Sequence, residues 1–295
     1  MKNKDWFLVI LLGVFWGASF LFVEILLEYV TPFVVVYLRV AIASALLLIY
    51  ILIRNIKFQF SRGDLFNLFV MGLLNNILPF LLIAYGQQSI TGGLASILNA
   101  NTSFMTILLV ALFIPNEKLN FHRTIGVLIG ILGVILAVDY QNIFQLNNDS
   151  VGQYLILLAT ISYSFAGIWA KLKLQNLPPV VSAAGMLTMS TIFLSPYILS
   201  THFEELSSLN FDTLKYALGF ALICTVFAYF IYFKILESTG AGNLLICTII
   251  IPPSSIILNS IFIGEVINTN EILGLLVIIV GLLVIDGRIL GKKFV

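Results

Sequence analysis

The residues of this chain that could do chemistry are few, and they stand where a polar group is costly. Asn99, Asn101, Thr102 and Ser103 interrupt the middle of one long apolar run, and Asn75 and Asn76 interrupt another just ahead of Pro79. An amide left unpaired in hydrocarbon is strongly unfavourable, so these side chains must face protein, water or a bound solute. Hydrogen bonding between helices is the plain alternative for Asn99 and Asn101. A third run carries Pro252-Pro253-Ser254-Ser255 at its centre. Each proline removes an N–H and frees a carbonyl one turn back, so Pro79 should free the carbonyl of Asn75, and Pro252 and Pro253 should break or kink their helix.

Trp16, Phe20 and Glu24 recur at four-residue spacing and share one helical face, with Ser19 beside it. Arg39 lies in the next apolar run. An arginine inside a membrane span is expensive without a partner. Glu24 is the nearest acid by topology, so the sequence predicts a Glu24–Arg39 pair, either structural or gripping a substrate. Tyr85, Tyr163, Trp169, Tyr229 and Tyr232 each add a flat apolar face and a polar tip.

Bond-making chemistry would need a nucleophile–base pair or a set of metal ligands. His122 and His202 fall in separate loops, and no acidic pair lies within a span. An enzyme is therefore disfavoured, and no cofactor is implied. A channel should carry a charged ring or polar stripe through several spans, whereas the polar groups here gather at mid-depth. With no basic run, zinc spacing or phosphate-cradling glycine loop, nothing points to nucleic acid. The remaining partners are a small-molecule solute and the lipid bilayer. Cys224 and Cys247 fall in apolar runs and read as small packed thiols. If a proton couples to transport, Glu24 is the membrane carboxylate available to carry it.

These side chains are positioned by an apolar framework. Hydrophobic residues make up 60% of the 295-residue chain and charged residues 10%, against about 25% charge in an average soluble domain. A spanning helix needs about 20 apolar residues. Ten runs qualify, at 6–27, 32–53, 65–87, 93–113, 124–138, 154–172, 180–199, 214–236, 241–263 and 272–285. The first run is longer than the core of a signal peptide and reads as a retained span. With the N-terminus in the cytoplasm, thirteen of the fifteen Lys and Arg lie on inner segments, and only Lys215 lies outside. That asymmetry predicts both termini inside.

The second half of the chain repeats the first. From Asp64 onward the offset is 148 residues, so that Glu117 lies over Glu265, Gly126 over Gly274 and Gly133 over Gly281. Upstream the offset is 147, pairing Trp16 with Tyr163 and Pro32 with Pro179. Five spans per half turn the second copy upside down. Inverted repeats mark secondary carriers, with the solute site where the halves meet.

Several short patterns then resemble one family in order and spacing. They are Trp16-Gly17-Ala18-Ser19-Phe20, Pro32 followed by Arg39, and Gly92-Gly93-Leu94-Ala95-Ser96-Ile97-Leu98-Asn99-Ala100. Glu117 ahead of Gly126 and Gly133, and Gly264-Glu265 ahead of Gly274 and Gly281, close the two halves. Over essentially its whole length the chain resembles the EamA family of the drug/metabolite transporter superfamily. The resemblance implies an all-α integral membrane protein of ten transmembrane helices, built as two inverted five-helix repeats (1–140 and 151–288) around a central cavity. It implies transport, often export, of amino acids and other small metabolites across the cell membrane. Two positions depart from the pattern: Glu24 stands where a basic residue is common, and a proline expected near Ser103 is missing. The proposed path lacks the cluster of buried Lys and Arg that a phosphorylated solute would need. A small neutral or zwitterionic metabolite fits it better, an amino acid first and a hydrophobic drug second.

Overall fold

A computed structural model describes residues 2–59, 61–114, 117, 119–138 and 148–287. Lys118, Arg288, Lys292 and Lys293, counted in the charge asymmetry, lie outside the described residues, as do the repeat bounds at 140 and 288. Among the described residues nine helices are long and apolar enough to cross a membrane, and a tenth apolar helix is shorter. They are α1 (Asn3–Leu27), α2 (Pro32–Ile53), α3 (Gly63–Gly86), α4 (Gly92–Phe113), α5 (Phe121–Ala137), α6 (Asn148–Lys173), α7 (Pro179–Thr201), α8 (Phe211–Thr239), α9 (Ala241–Ile263) and α10 (Thr269–Asp286). No strand occurs among the described residues. The ten predicted spans are all present, and α6 and α10 run several residues further than the apolar runs alone indicate.

Local sequence sets the helix ends. Pro32 and Pro179, which are repeat equivalents, each open a helix at its first turn, where a missing N–H is free of cost. Ser61 and Asp64 cap α3 reciprocally, with the Ser61 amide donating to Asp64 Oδ2 at 2.8 Å. Asn120 and Asn210 accept amide hydrogens at the starts of α5 and α8. Gly264, at φ 75°, ends α9 in the left-handed conformation that favours glycine.

The packing has an internal two-fold symmetry. The spans α2 and α7 pack against each other, as do α5 and α10, and each is its partner's repeat equivalent. On the first of these contacts Ser44 Oγ lies 3.4 Å from Thr191 Oγ1, its own equivalent. On the second, four glycines form the crossing. A β-carbon on Gly126 would meet the Gly281 carbonyl at 2.8 Å, and one on Gly133 would meet the Gly274 carbonyl at 2.9 Å. Helices come this close only where side chains are absent. The other contacts come in mirrored sets: α1 with α9 and α6 with α4, then α3 with α6 and α8 with α1.

Two spans change their winding at matching places. Inside α3, Leu73–Ile77 forms a π-turn, and inside α8, Leu222–Phe227 forms another. In α3 the turn sits just before Pro79, and Leu78 N–H reaches back five residues to Leu73 O. The wider turn moves the freed carbonyl by one residue, from the expected Asn75 to Leu74. Leu74 O instead accepts a hydrogen bond from Ser162 Oγ of α6 at 2.7 Å. In contrast, α9 is continuous through Pro252 and Pro253. Both prolines hold a φ the helix already has, and the stretch is pressed against α1, where Gly17 faces the Ile251 carbonyl. The expected break at these prolines is absent. It is α4 that is interrupted, at Ala100 beside Asn99 and Asn101.

Candidate functional site

A cavity of about 590 Å³ lies between the repeats, lined by residues of α1 to α4 and α6 to α9. One end is bounded by Gln175 and Pro179, which are exposed, together with Phe233 and Leu236 near the end of α8. At the other end Phe20, Val23, Val35 and Ile83 line it and are all buried. The cavity therefore opens at the α6–α7 connection and is closed at the opposite end.

Arg39 is the charged side chain in the cavity wall among the described residues. Its guanidinium lies 3.8 Å from the centre of the Phe80 ring and 4.4 Å from that of Phe220. Its Nε donates to Thr225 Oγ1 at 3.1 Å. Aromatic faces and one hydroxyl thus stabilise the charge in place of an acid. No acid among the described residues forms an ion pair with it, and its two terminal nitrogens have no hydrogen-bond partner among those residues. Stacked aromatics hold the plane of the fork while leaving its outer edge free for a planar anion.

The predicted Glu24–Arg39 pair is not formed. Glu24 does not line the cavity; its Oε2 accepts the Gly92 amide at 2.8 Å, at the start of α4. The sequence placed both charges at similar depth. It could not show that α1 turns Glu24 toward α4 and α9, while α2 turns Arg39 toward α3 and α8.

Of the other residues singled out above, the structure brings Trp16, Ser19, Asn75, Asn99, Thr102, Tyr163, Tyr229 and Tyr232 together with Arg39 in the cavity wall. Asn75 Nδ2 is 3.4 Å from the Tyr229 hydroxyl, and Trp16 packs on Tyr232 at 5.9 Å between ring centres. Asn99 Oδ1 and Thr102 Oγ1 are buried with no hydrogen-bond partner among the described residues, while Ser19 lies against the Cys224 thiol. All three residues belong to the wall of the cavity that also contains Arg39.

The remaining predicted residues lie elsewhere. Asn101 is buried and donates to Thr160 Oγ1 of α6 at 3.1 Å, and Asn76 is wholly buried and donates to Ser190 Oγ of α7. Both join helices. Trp169 Nε1 donates to the Asn67 carbonyl, and Tyr85 is exposed at the far end of α3 against Phe33. Pro79, Pro252 and Pro253 are outside the cavity wall. Residue-type reasoning overlooked Phe80, Phe220 and Thr225, which hold Arg39. Nothing distinguishes two phenylalanines among 24 in an apolar chain. Thr225 carried a weak signal, being a lone hydroxyl in the otherwise apolar stretch from Leu218 to Ala228.

Ten apolar helices in two inverted repeats around a lined cavity define a multi-pass membrane transporter. The EamA-like transporter family matches residues 4–138 and 150–286. The chain belongs to that family, whose named relatives are transporters and not enzymes. An uncharacterized transporter of Archaeoglobus fulgidus is 22% identical over 96% of this chain and 98% of its own length. The uncharacterized transporter YetK of Bacillus subtilis is 27% identical over 91% of this chain and 82% of its own. A protein of Salmonella typhimurium described as a probable amino-acid metabolite efflux pump is 22% identical over 96% of this chain and 94% of its own. A solved crystal structure shares the fold over the full length of both chains, with a TM-score of 0.70 at 14% identity.

Proposed function

We propose that the protein exports a small zwitterionic metabolite, an amino acid foremost, across the cytoplasmic membrane by alternating access. The observation that carries this reading is Arg39, held between two phenylalanines with its outer nitrogens unpaired in the cavity wall. A carboxylate can take both of those nitrogens side by side. Asn99 and Thr102 of the cavity wall carry unpartnered oxygens that could turn to accept from an ammonium group. A single buried cation suits one carboxylate and is too little for a phosphate ester, whose greater charge needs several. The likeness to an amino-acid metabolite efflux pump supports the same class.

The orientation is read from charge. The open end of the cavity lies at the end of α6 that carries Lys171 and Lys173. Positive residues concentrate on the cytoplasmic side. The cavity is then inward-open, ready to load solute from the cytoplasm, and both termini are cytoplasmic. The test is a counterflow screen in proteoliposomes. Saturable flux of one or more amino acids, abolished in Arg39→Gln, is the expected result. Flux of a sugar phosphate or of a cationic drug without amino-acid flux would overturn the reading.

A further inference from the structure

Glu24 and Glu265 come from opposite repeats and meet at one place, the start of α4. The Gly92 amide donates to Glu24 Oε2 at 2.8 Å, and the next amide, Gly93, donates to Glu265 Oε1 at 3.0 Å. Asn259 of α9, wholly buried, reaches the same spot. A β-carbon on Gly92 would meet Glu24 Oε2 at 2.7 Å and Asn259 Oδ1 at 2.9 Å. Asn259 Nδ2 is already committed to the Ser255 carbonyl at 2.8 Å and to Ser255 Oγ at 3.2 Å. Its Oδ1 lies beside the same point as Glu24 Oε2, with Nδ2 at 3.0 Å from that point, and has no hydrogen-bond partner among the described residues. An amide oxygen and a carboxylate oxygen are both acceptors, so nothing joins them unless the carboxyl carries a hydrogen.

Among the described residues the surroundings offer no cation. Glu24 is faced by the Gln87 side chain, Glu28 and Glu265, and Glu265 by the Thr91 hydroxyl and Glu271. Every charged side chain on these faces is an acid. Burial pushes the Glu265 carboxyl above the ordinary carboxylate range, against the hydrogen bonds from Thr91 and Gly93. One helix start carries only about half a positive charge. It can steady one anion beside it but not two. Two acids beside one such half charge favour a proton on one of them.

The same residues stand at the closed end of the cavity. Val23, one position before Glu24, is buried and lines that end. We infer that Glu24 and Glu265 form a proton-operated gate: together they hold one proton, Glu24 passing its hydrogen to Asn259 Oδ1, and the gate is shut while that proton is held. Loss of the proton to water at that end leaves two anions on adjacent amides, and their repulsion parts α1 and the α9–α10 connection from α4. Only an O–H bond forms or breaks. The inference deepens the export reading and rests on it for orientation: an acidic exterior would shut the outer gate and return the emptied carrier to its inward-open form.

The experiment uses full-length protein in intact cells, with Cys224→Ser and Cys247→Ser removing the native thiols. Val23→Cys is labelled with a membrane-impermeant maleimide from about pH 5 to 8, normalised to Ser208→Cys, an exposed position, to cancel the thiol's own titration. Normalised labelling should rise about fivefold or more with pH, and Glu24→Gln should hold it at the low value throughout. Asn259→Ala leaves both carboxylates in place. It should move the midpoint to lower pH, which keeps the test decisive if the glutamine variant fails to fold. Labelling of the parent that is flat with pH, a Glu24→Gln variant that keeps the rise, an unmoved midpoint in Asn259→Ala, or a response to sodium at fixed pH would overturn the gate. A Gln175→Cys control should label only after permeabilisation. Labelling of that control in intact cells would refute the orientation and not the gate, and the Val23 measurement would then be made in inside-out vesicles.

Discussion

At the scale of single residues, the cavity separates side chains that meet solute from side chains that join helices. Arg39→Lys keeps the charge but loses the planar fork and its stacking on Phe80 and Phe220. Solute affinity should fall about tenfold or more, read as quenching of Trp16 fluorescence. Asn99 and Asn101 are two positions apart and act differently. Asn99→Ala should raise the KM of transport. Asn101→Ala removes the bond to Thr160 and should lower thermal stability by about 0.5–1.5 kcal/mol with KM unchanged. Gly167 offers a steric probe, because it lines the cavity and a β-carbon there meets nothing within 4 Å. Gly167→Ala should transport normally, while Gly167→Trp should fold, reach the membrane and block flux. Sequence reasoning named Arg39, Asn99 and Thr102 as polar groups needing a partner, and all three stand in the cavity wall. It could not say which partner, since a few tens of degrees of helix rotation decide whether an amide meets a cavity or the next helix.

At the scale of elements, proline was the wrong guide to where helices yield. The π-turn of α3 precedes Pro79, but its counterpart in α8 has Phe227 at the equivalent position and forms without proline. The wider turn therefore belongs to the packing of both spans around the cavity, where such turns often accompany function. Pro79→Ala should leave transport within a fewfold of the parent. Ser162→Ala should cost about 1 kcal/mol, because it strands the Leu74 carbonyl between α3 and α6. Both are measurable by flux and by thermal melting in detergent. The glycine crossing of α5 and α10 tolerates less. Gly133→Leu would drive carbon into the backbone of Ile278, 2.7 Å from a β-carbon, and should abolish stable expression. The ten spans and the repeat were legible because hydrophobic length and internal periodicity are local properties of the chain. The winding of α3, α4 and α8 was not, because it answers to neighbours far along the sequence.

At the scale of the whole molecule, the two ends of the cavity carry opposite electrostatics. At the open end Lys171 Nζ lies 2.5 Å from Glu117 Oε1, with Arg123 at 3.8 Å from the same carboxylate's other oxygen. The ammonium holds the Glu117 carboxyl below its ordinary range. A depressed carboxylate stabilises the fold above its unfolded pKa and loses that contribution only as pH falls through the lower folded value. This cluster should therefore be unchanged between about pH 5 and 8, and Lys171→Ala should leave any pH response of the closed end in place. Glu24 and Lys171 are repeat equivalents, as are Glu117 and Glu265. One inherited arrangement has become an ion pair at one mouth and an acid pair at the other. That difference makes the two ends of a symmetric scaffold unlike.

The crossings of α2 with α7 and of α5 with α10 have a further consequence. A surface that meets its own copy is what a homodimer possesses, and here both copies belong to one polypeptide. Each half carries its own share of these surfaces. The halves, expressed as two separate chains parted between residues 138 and 148, should find each other in the membrane and reassemble a working protein. The linker between them would then matter for stoichiometry and insertion more than for the architecture it connects.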